Sequence, residues 1–293
     1  MKALVIGEIL WDIIEGTPHL GGAPLNFAAH VKKCGHQSAM ISCLGRDELG
    51  DKALKMVEEM EVDISLVQRS DKPTGYVPVT LRDGQPEYEI TEDVAYDYID
   101  SSKLDFDYIS QFDTFYFGSI VQRSPLSNET LYEILQKYQF DNIFYDVNLR
   151  KNSYTRSVIE RSLEYCTILK VNDEEVEVIG QMLFGQSLDF ESFCNQVCSR
   201  FKQIKTIIIT AGKEGSVVYS GSQLSKVPAE EITVVDTVGA GDSFSAAFIS
   251  VFAKTGDAVK SAEIANKVGA FVASSHGPIP QYPEDLIRLL AEF

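Results

Sequence analysis

Two rhythms of apolar and polar positions alternate along the chain. Short apolar, β-branched or aromatic runs occur at 2–7, 38–44, 112–117, 142–147, 167–171 and 206–210. Between them, apolar residues fall at helical spacing, from Pro24 to about Lys33, through three turns ending at Met60, and over 126–137, 190–201 and 258–273. Pro24 in the first turn and Gly35 past the end punctuate one of these helices, and acids open the next. Buried-type strands alternating with amphipathic helices predict an α/β fold, a mostly parallel central sheet with helices on both faces. The stretch 74–91 breaks the rhythm. There, runs at 76–81 and 86–90 flank Asp83-Gly84, a hairpin turn signal, and Pro78 confines its strand to an edge or a bulge. Such a hairpin predicts a small sheet standing off the main body. No repeat or Pro/Gly/Ser-rich linker divides residues 1–293, so a single domain is expected.

Unusual polar groups gather at the ends of the expected strands: Gly118-Ser119, Asp146-Val-Asn148-Leu-Arg150, Asn172-Asp173-Glu174-Glu175 and Thr210-Ala-Gly212-Lys213-Glu-Gly215. Ligands of open α/β sheets bind at the carboxyl ends of the strands, so together these clusters predict a site. The most informative stretch is 232–248. A β-branched run at 232–235 reads as the end of a strand. Asp236-Thr237-Val238-Gly239-Ala240-Gly241-Asp242 then leads into a helix with Phe244, Ala247, Phe248 and Val251 at helical spacing. A Gly-Ala-Gly turn opening a helix leaves backbone N–H groups unpaired at the positive end of the helix dipole, which makes an anion cradle. No Lys-Ser or Lys-Thr follows the glycines, so it is not a Walker loop. Asp242 lies in the first turn, where the dipole favours the ionised carboxylate. The turn alone admits two readings, a base that takes a hydroxyl proton and a plain helix cap.

Composition narrows the function classes. With 43 Asp and Glu against 26 Lys and Arg, the formal charge is −17, which excludes nucleic acid and anionic membrane as bulk partners. Five cysteines form no Cys-x-x-Cys pair, and the N-terminus carries no signal-peptide pattern, so a reduced, cytoplasmic setting is expected. His19, His30, His36 and His276 show no metal-ligand spacing, and His30 reads as packing or surface. A Gly-x-Ser-x-Gly elbow and a Gly-x-Gly-x-x-Gly turn after the first strand are both missing, which counts against a serine hydrolase and a dinucleotide-dependent dehydrogenase.

The string Asp236-Thr-Val-Gly-Ala-Gly-Asp242 closely resembles the second signature of the ribokinase-like (PfkB) sugar and nucleoside kinases. Gly21-Gly22-Ala23-Pro24-Leu25-Asn26 resembles the first signature region, in the wording of the fructokinases, and Gly45-Arg-Asp47-Glu-Leu-Gly50 matches a further family pattern. The resemblance spans nearly the whole chain. It implies a ribokinase-like fold whose β-sheet lid comprises about 11–20 and 72–98. Asp242 would be the catalytic base, and Gly239, Ala240 and Gly241 the anion hole. Asp12, Gly22 and Asn26 would bind sugar hydroxyls, with Arg150 beside them. The Asp146–Arg150 run resembles the fructokinase type, although Val147 stands where many relatives have Pro. Asn172 and Glu175 match an Asn-x-x-Glu motif of the Mg²⁺ and phosphate environment, Glu175 acting through water, while their spacing alone equally fits a capping box. Thr210, Gly212 and Gly215 match the nucleotide loop, and Asn266 would border the adenine. Asp236, with carbonyls near 274–277, would hold a monovalent cation such as K⁺. The implied activity is ATP- and Mg²⁺-dependent transfer to a primary hydroxyl of a hexose, fructose first. Rival readings are a 2-keto-3-deoxygluconate kinase, with Arg123 or Arg150 on the substrate carboxylate, a ribokinase, and a catalytically silent sugar sensor. Pairing of lids into a homodimer is a further expectation.

Overall fold

The computed structural model describes residues 1–14, 16–82, 85–88, 90–150 and 153–293, with backbone alone at 79–82 and 85–88. The expected Asp83-Gly84 turn lies outside the described residues. In chain order the strands are β1 (Lys2–Ile6), β2 (Leu10–Ile14), β3 (Thr17–Gly21), β4 (Gln37–Gly45), β5 (Val67–Ser70), β6 (Gly75–Arg82), β7 (Gln85–Tyr88), β8 (Thr114–Phe117), β9 (Asn142–Asp146), β10 (Ile168–Asn172), β11 (Thr206–Thr210), β12 (Ser216–Ser220) and β13 (Gln223–Val227). The helices are α1 (Ala23–Lys33), α2 (Glu48–Glu59), α3 (Phe106–Ile109), α4 (Pro125–Lys137), α5 (Arg156–Leu163), α6 (Asp173–Phe184), α7 (Phe190–Arg200), α8 (Ala240–Thr255), α9 (Ala258–Ala273) and α10 (Glu284–Ala291).

A nine-stranded sheet runs β13-β12-β11-β10-β9-β8-β1-β4-β5. Strands β5 through β11 in that array pair in parallel, while β12 and β13 are antiparallel. Period-two alternation divides each strand between two cores: β1 sends Leu4 and Ile6 to one face, and Ala3 and Val5 to the other. The first face packs against α4–α7 and the second against α1, α2, α8, α9 and α10. The chain builds outward from β1 through β4 to β5, then returns to β8 and builds the other way. That reversal places a crevice at the carboxyl end of β1.

A second, smaller sheet runs β3-β2-β6-β7, at the place where the lid was expected. Trp11 anchors it, its indole N–H donating to the Leu49 carbonyl at 3.1 Å. The Gly45–Gly50 motif forms a knot where the chain enters β6. Asp47 accepts from the Gly50 N–H (2.7 Å), the Thr74 N–H (2.7 Å) and the Thr74 hydroxyl (2.6 Å), and Thr74 Oγ1 accepts from Gly45 N–H at 3.0 Å. A Cβ on Gly50 would stand 2.2 Å from the Gly45 carbonyl oxygen, so the turn admits only glycine. Pro78 departs from expectation, because β6 is internal, between β2 and β7. Its pairing with β7 begins at Val79, so the proline, which has no N–H, lies just outside that ladder.

Candidate active site

Helix α8 opens on Gly239 at φ 78°, a conformation natural to glycine, and no side chain caps it. A Cβ at Gly239 would meet Pro278 at 2.7 Å. Pro278 is in turn held by His30, whose Nε2 donates to the Pro278 carbonyl (2.8 Å) while Nδ1 accepts from the Tyr282 hydroxyl (2.6 Å). His30 is therefore neither surface nor plain packing. Burial pushes its pKa down to about 4, and the neutral ring clasps α1 to the segment behind the glycine turn.

Asp242 does not cap its helix. Its Oδ2 accepts from Asn26 Nδ2 at 2.8 Å, across 216 residues of sequence. Burial, aided by the charge of Asp146, pushes the Asp242 carboxyl up to about 6, against the Asn26 hydrogen bond and the charges of Lys170 and Arg150. The dipole-based expectation of a favoured anion is thus outweighed by desolvation. At neutral pH the ionised form still predominates.

A buried ion pair underlies the turn. Lys170 Nζ donates to Asp146 Oδ1 at 2.9 Å, and Ser245 donates to Asp146 Oδ2 at 3.0 Å. The ammonium would lie 3.5 Å from a Cβ on Gly241. Burial opposes its charge, but Asp146, Glu175 and Asp242 outweigh burial and hold its pKa above the ordinary value. Glu175 and Asn172 close the capping box of α6: Asn172 Oδ1 accepts from Glu175 N–H, and Glu175 Oε2 from Asn172 N–H, both at 2.8 Å. Glu175 Oε1 also accepts from Leu149 N–H at 2.7 Å, which fastens the 146–150 loop to α6. Among the described residues no three His, Cys, Asp or Glu side chains converge on a point.

The crevice at the end of β1 gathers the expected sugar-site residues. Gly22 precedes α1 at φ 114°, and a Cβ there would lie 2.5 Å from the Glu8 carbonyl oxygen. Asp12 reaches over Gly21, where a Cβ would meet its Oδ2 at 2.7 Å; burial raises its pKa against the charges of His19 and Arg150. Arg150 is exposed and forms no ion pair among the described residues, and its field reaches Asp12 and Asp242. Arg123, the other arginine expected to serve a substrate carboxylate, is committed elsewhere. It donates to both Asp97 oxygens (2.8 and 2.9 Å) and to the Thr91 carbonyl (2.7 Å), and lies over the Tyr96 ring.

On the other side of the glycine turn is a cavity of about 510 Å³ whose lining includes Thr210, Gly212, Gly215, Ala240, Gly241 and Asn266. Gly215, at φ 88°, lies against β13, where a Cβ would come within 2.2 Å of the Val227 carbonyl oxygen. Asn266 Nδ2 donates to the Val227 and Pro228 carbonyls (3.2 and 3.0 Å), steadying the same corner. The 232–235 run is not a strand. It is a loop tied to α9 by Val235 N–H donating to Ala273 carbonyl (2.9 Å), and Ile232 and Val234 lie exposed at the cavity. Asp236 accepts from Val238 N–H (3.0 Å) and Gly277 N–H (3.2 Å), joining this loop to 274–277. Sequence reasoning missed Glu8 and the clasp role of His30. Glu8 lies two residues past β1, and a charge so close to a buried strand was the available signal.

A family model for pfkB family carbohydrate kinases matches residues 10–285. An uncharacterized sugar kinase from Pyrococcus horikoshii is 29% identical over 301 residues, covering 93% of this chain and 90% of that protein. Its crystal structure in complex with ATP superposes with a TM-score of 0.86 at 26% identity, over 98% of this chain and 99% of that one. The chain is also similar to an ATP-dependent 6-phosphofructokinase of Thermoanaerobacterium thermosaccharolyticum (28% identity, 96% and 90% covered). To fructokinase-1 of Zea mays the identity is 27%, with 90% and 85% covered.

Proposed function

The chain belongs to the pfkB family of carbohydrate kinases, phosphotransferases acting on sugar hydroxyls, and we propose that it transfers the ATP γ-phosphoryl group to a primary hydroxyl of a hexose, fructose. The observation that carries this reading is the place of Asp242. Held by Asn26, it stands where the crevice beyond β1 meets the glycine turn bordering the 510 Å³ cavity. A nucleotide in that cavity, near Thr210, Gly212, Gly215 and Asn266, would direct its terminal phosphate at the N-terminus of α8. A sugar resting on Asp12, Gly22 and Asn26 would bring its hydroxyl to Asp242. The carboxylate orients that hydroxyl and takes its proton as the oxygen attacks in line, while the Gly239–Gly241 amides and Lys170 offset charge on the phosphoryl oxygens. Mg²⁺, carried on the phosphates with Glu175 beyond its water shell, would supply further charge neutralisation. The Asp236 loop is the place we assign to a monovalent cation.

A second reading is favoured by Arg150. An exposed arginine at the crevice with no ion pair among the described residues suits an acceptor that bears a phosphate or a carboxylate, such as a sugar phosphate or a keto-deoxy sugar acid. The test is ADP release with Mg-ATP across fructose, fructose 6-phosphate, 2-keto-3-deoxygluconate and ribose. Turnover led by fructose supports the first reading, and turnover led by an anionic acceptor moves the substrate to the second. Sugar binding by calorimetry without ADP release would contradict both and leave a silent sensor.

A further inference from the structure

Glu8 is a buried ionisable group that the mechanism above leaves unused. It follows β1 at the reversal of strand order and is only 3% exposed. Among the described residues no other residue hydrogen-bonds to its carboxyl, and only its own backbone N–H is near enough to favour its charge. The Gly22 turn packs against its backbone, where a Cβ would stand 2.5 Å from the Glu8 carbonyl oxygen. Asp242 on α8, Arg123 after β8, Arg150 after β9, and the buried phenols of Tyr96 and Tyr116 all face it closely enough to feel its charge. Neither arginine bonds to it. On the α1 side of the same crevice, Asn26 Oδ1 is buried without a donor. The crevice thus holds a carboxyl lacking an outside partner and an amide oxygen lacking a donor. Buried polar groups are almost always paired, and the hydroxyls of a sugar have the donors and acceptors to pair both.

We propose that Glu8 is a specificity-determining residue whose carboxyl hydrogen-bonds an acceptor-sugar hydroxyl other than the one phosphorylated. This rests on the sugar-kinase reading and adds a contact to it. Burial pushes Glu8 up to about 7, so near neutrality much of it is protonated. In that form it donates to a sugar oxygen and sets no second full negative charge beside Asp242. Two carboxyls in one crevice then hold separate duties, Asp242 as base and Glu8 as reader. A site that spends a buried polar group on a hydroxyl strongly rejects analogues lacking that hydroxyl.

The experiment compares the parent with Glu8→Met and Glu8→Gln, using the acceptor sugar that the parent turns over and its monodeoxy analogues. In Glu8→Met the sugar KM should rise about 10–100-fold, as expected when a buried hydrogen bond is lost, with the KM for ATP unchanged. Discrimination against one deoxy analogue should collapse in Glu8→Met and persist in Glu8→Gln, which keeps a hydrogen-bonding head. Unchanged discrimination in folded Glu8→Met overturns the proposal. Should that variant fail to fold, Glu8→Gln decides: the parent's sugar KM should rise between about pH 6 and 8 as Glu8 ionises, and this limb should vanish in the variant. A limb that survives in Glu8→Gln overturns the proposal. A parent that phosphorylates no sugar overturns the kinase reading instead, and the proposal with it.

Discussion

Asp242, the proposed base, carries a cost to folding. Its carboxyl sits at about 6 in the fold, against an ordinary value near 4 in an unfolded chain. Between those values the native state holds a proton that the unfolded state has lost, so this group's contribution to stability falls as pH rises through the window. Asp242→Asn removes the titration and can still bond to Asn26. The variant should therefore melt close to the parent at pH 4 and progressively above it as pH rises from 4 to 6, levelling off above pH 6. Thermal melts from pH 4 to 8 check this, and a variant that melts below the parent at pH 8 would count against a buried, destabilised carboxylate. His30 titrates in the opposite sense, its pKa lowered to about 4, so the comparison must be variant against parent at each pH.

At the scale of elements, the site is a seam between α1 and α8. Asn26 and His30 lie four residues apart on one face of α1; the first bonds Asp242, and the second holds the proline that abuts Gly239. Gly239→Ala would bring a Cβ to within 2.7 Å of Pro278 at a φ of 78°, so the turn must shift or strain. The expected result is a loss of about 1–3 kcal/mol in stability and a larger fall in turnover than in sugar binding, read by denaturant melts and steady-state kinetics. The strands of the βα rhythm were legible because each is buried on both faces and reads as an apolar run. The edge strands β5 and β13 were not, since most of their positions are only partly buried, and β12, internal and buried at four of its five positions, was passed over although its Val-Val-Tyr run carried the same signal. The opposite error occurred at 232–235, whose β-branched residues border a cavity instead of pairing. The glycine turn was legible because its chemistry is contiguous. Lys170–Asp146, Arg123–Asp97 and His30–Tyr282 join residues 24, 26 and 252 apart, and no local pattern carries such pairings.

At the scale of the whole molecule, the Gly45–Gly50 knot connects the large sheet, through β4, to the small sheet, through the entry to β6. Thr74→Val deletes the hydroxyl bonds to Asp47 and Gly45 while keeping the shape. It should lower stability by about 1–3 kcal/mol and, if the small sheet is the lid we propose, raise the sugar KM with little change in the KM for ATP. Equal changes in both constants would show that the knot does not act through the lid. The central claim, that Asp242 takes the proton of a sugar hydroxyl during phosphoryl transfer, meets its most direct test in the turnover number of Asp242→Asn with Mg-ATP and the preferred sugar, beside calorimetric titration of nucleotide. The account predicts a fall in kcat of about 10²–10⁴ with folding and nucleotide affinity retained. Turnover within a few-fold of the parent would contradict it.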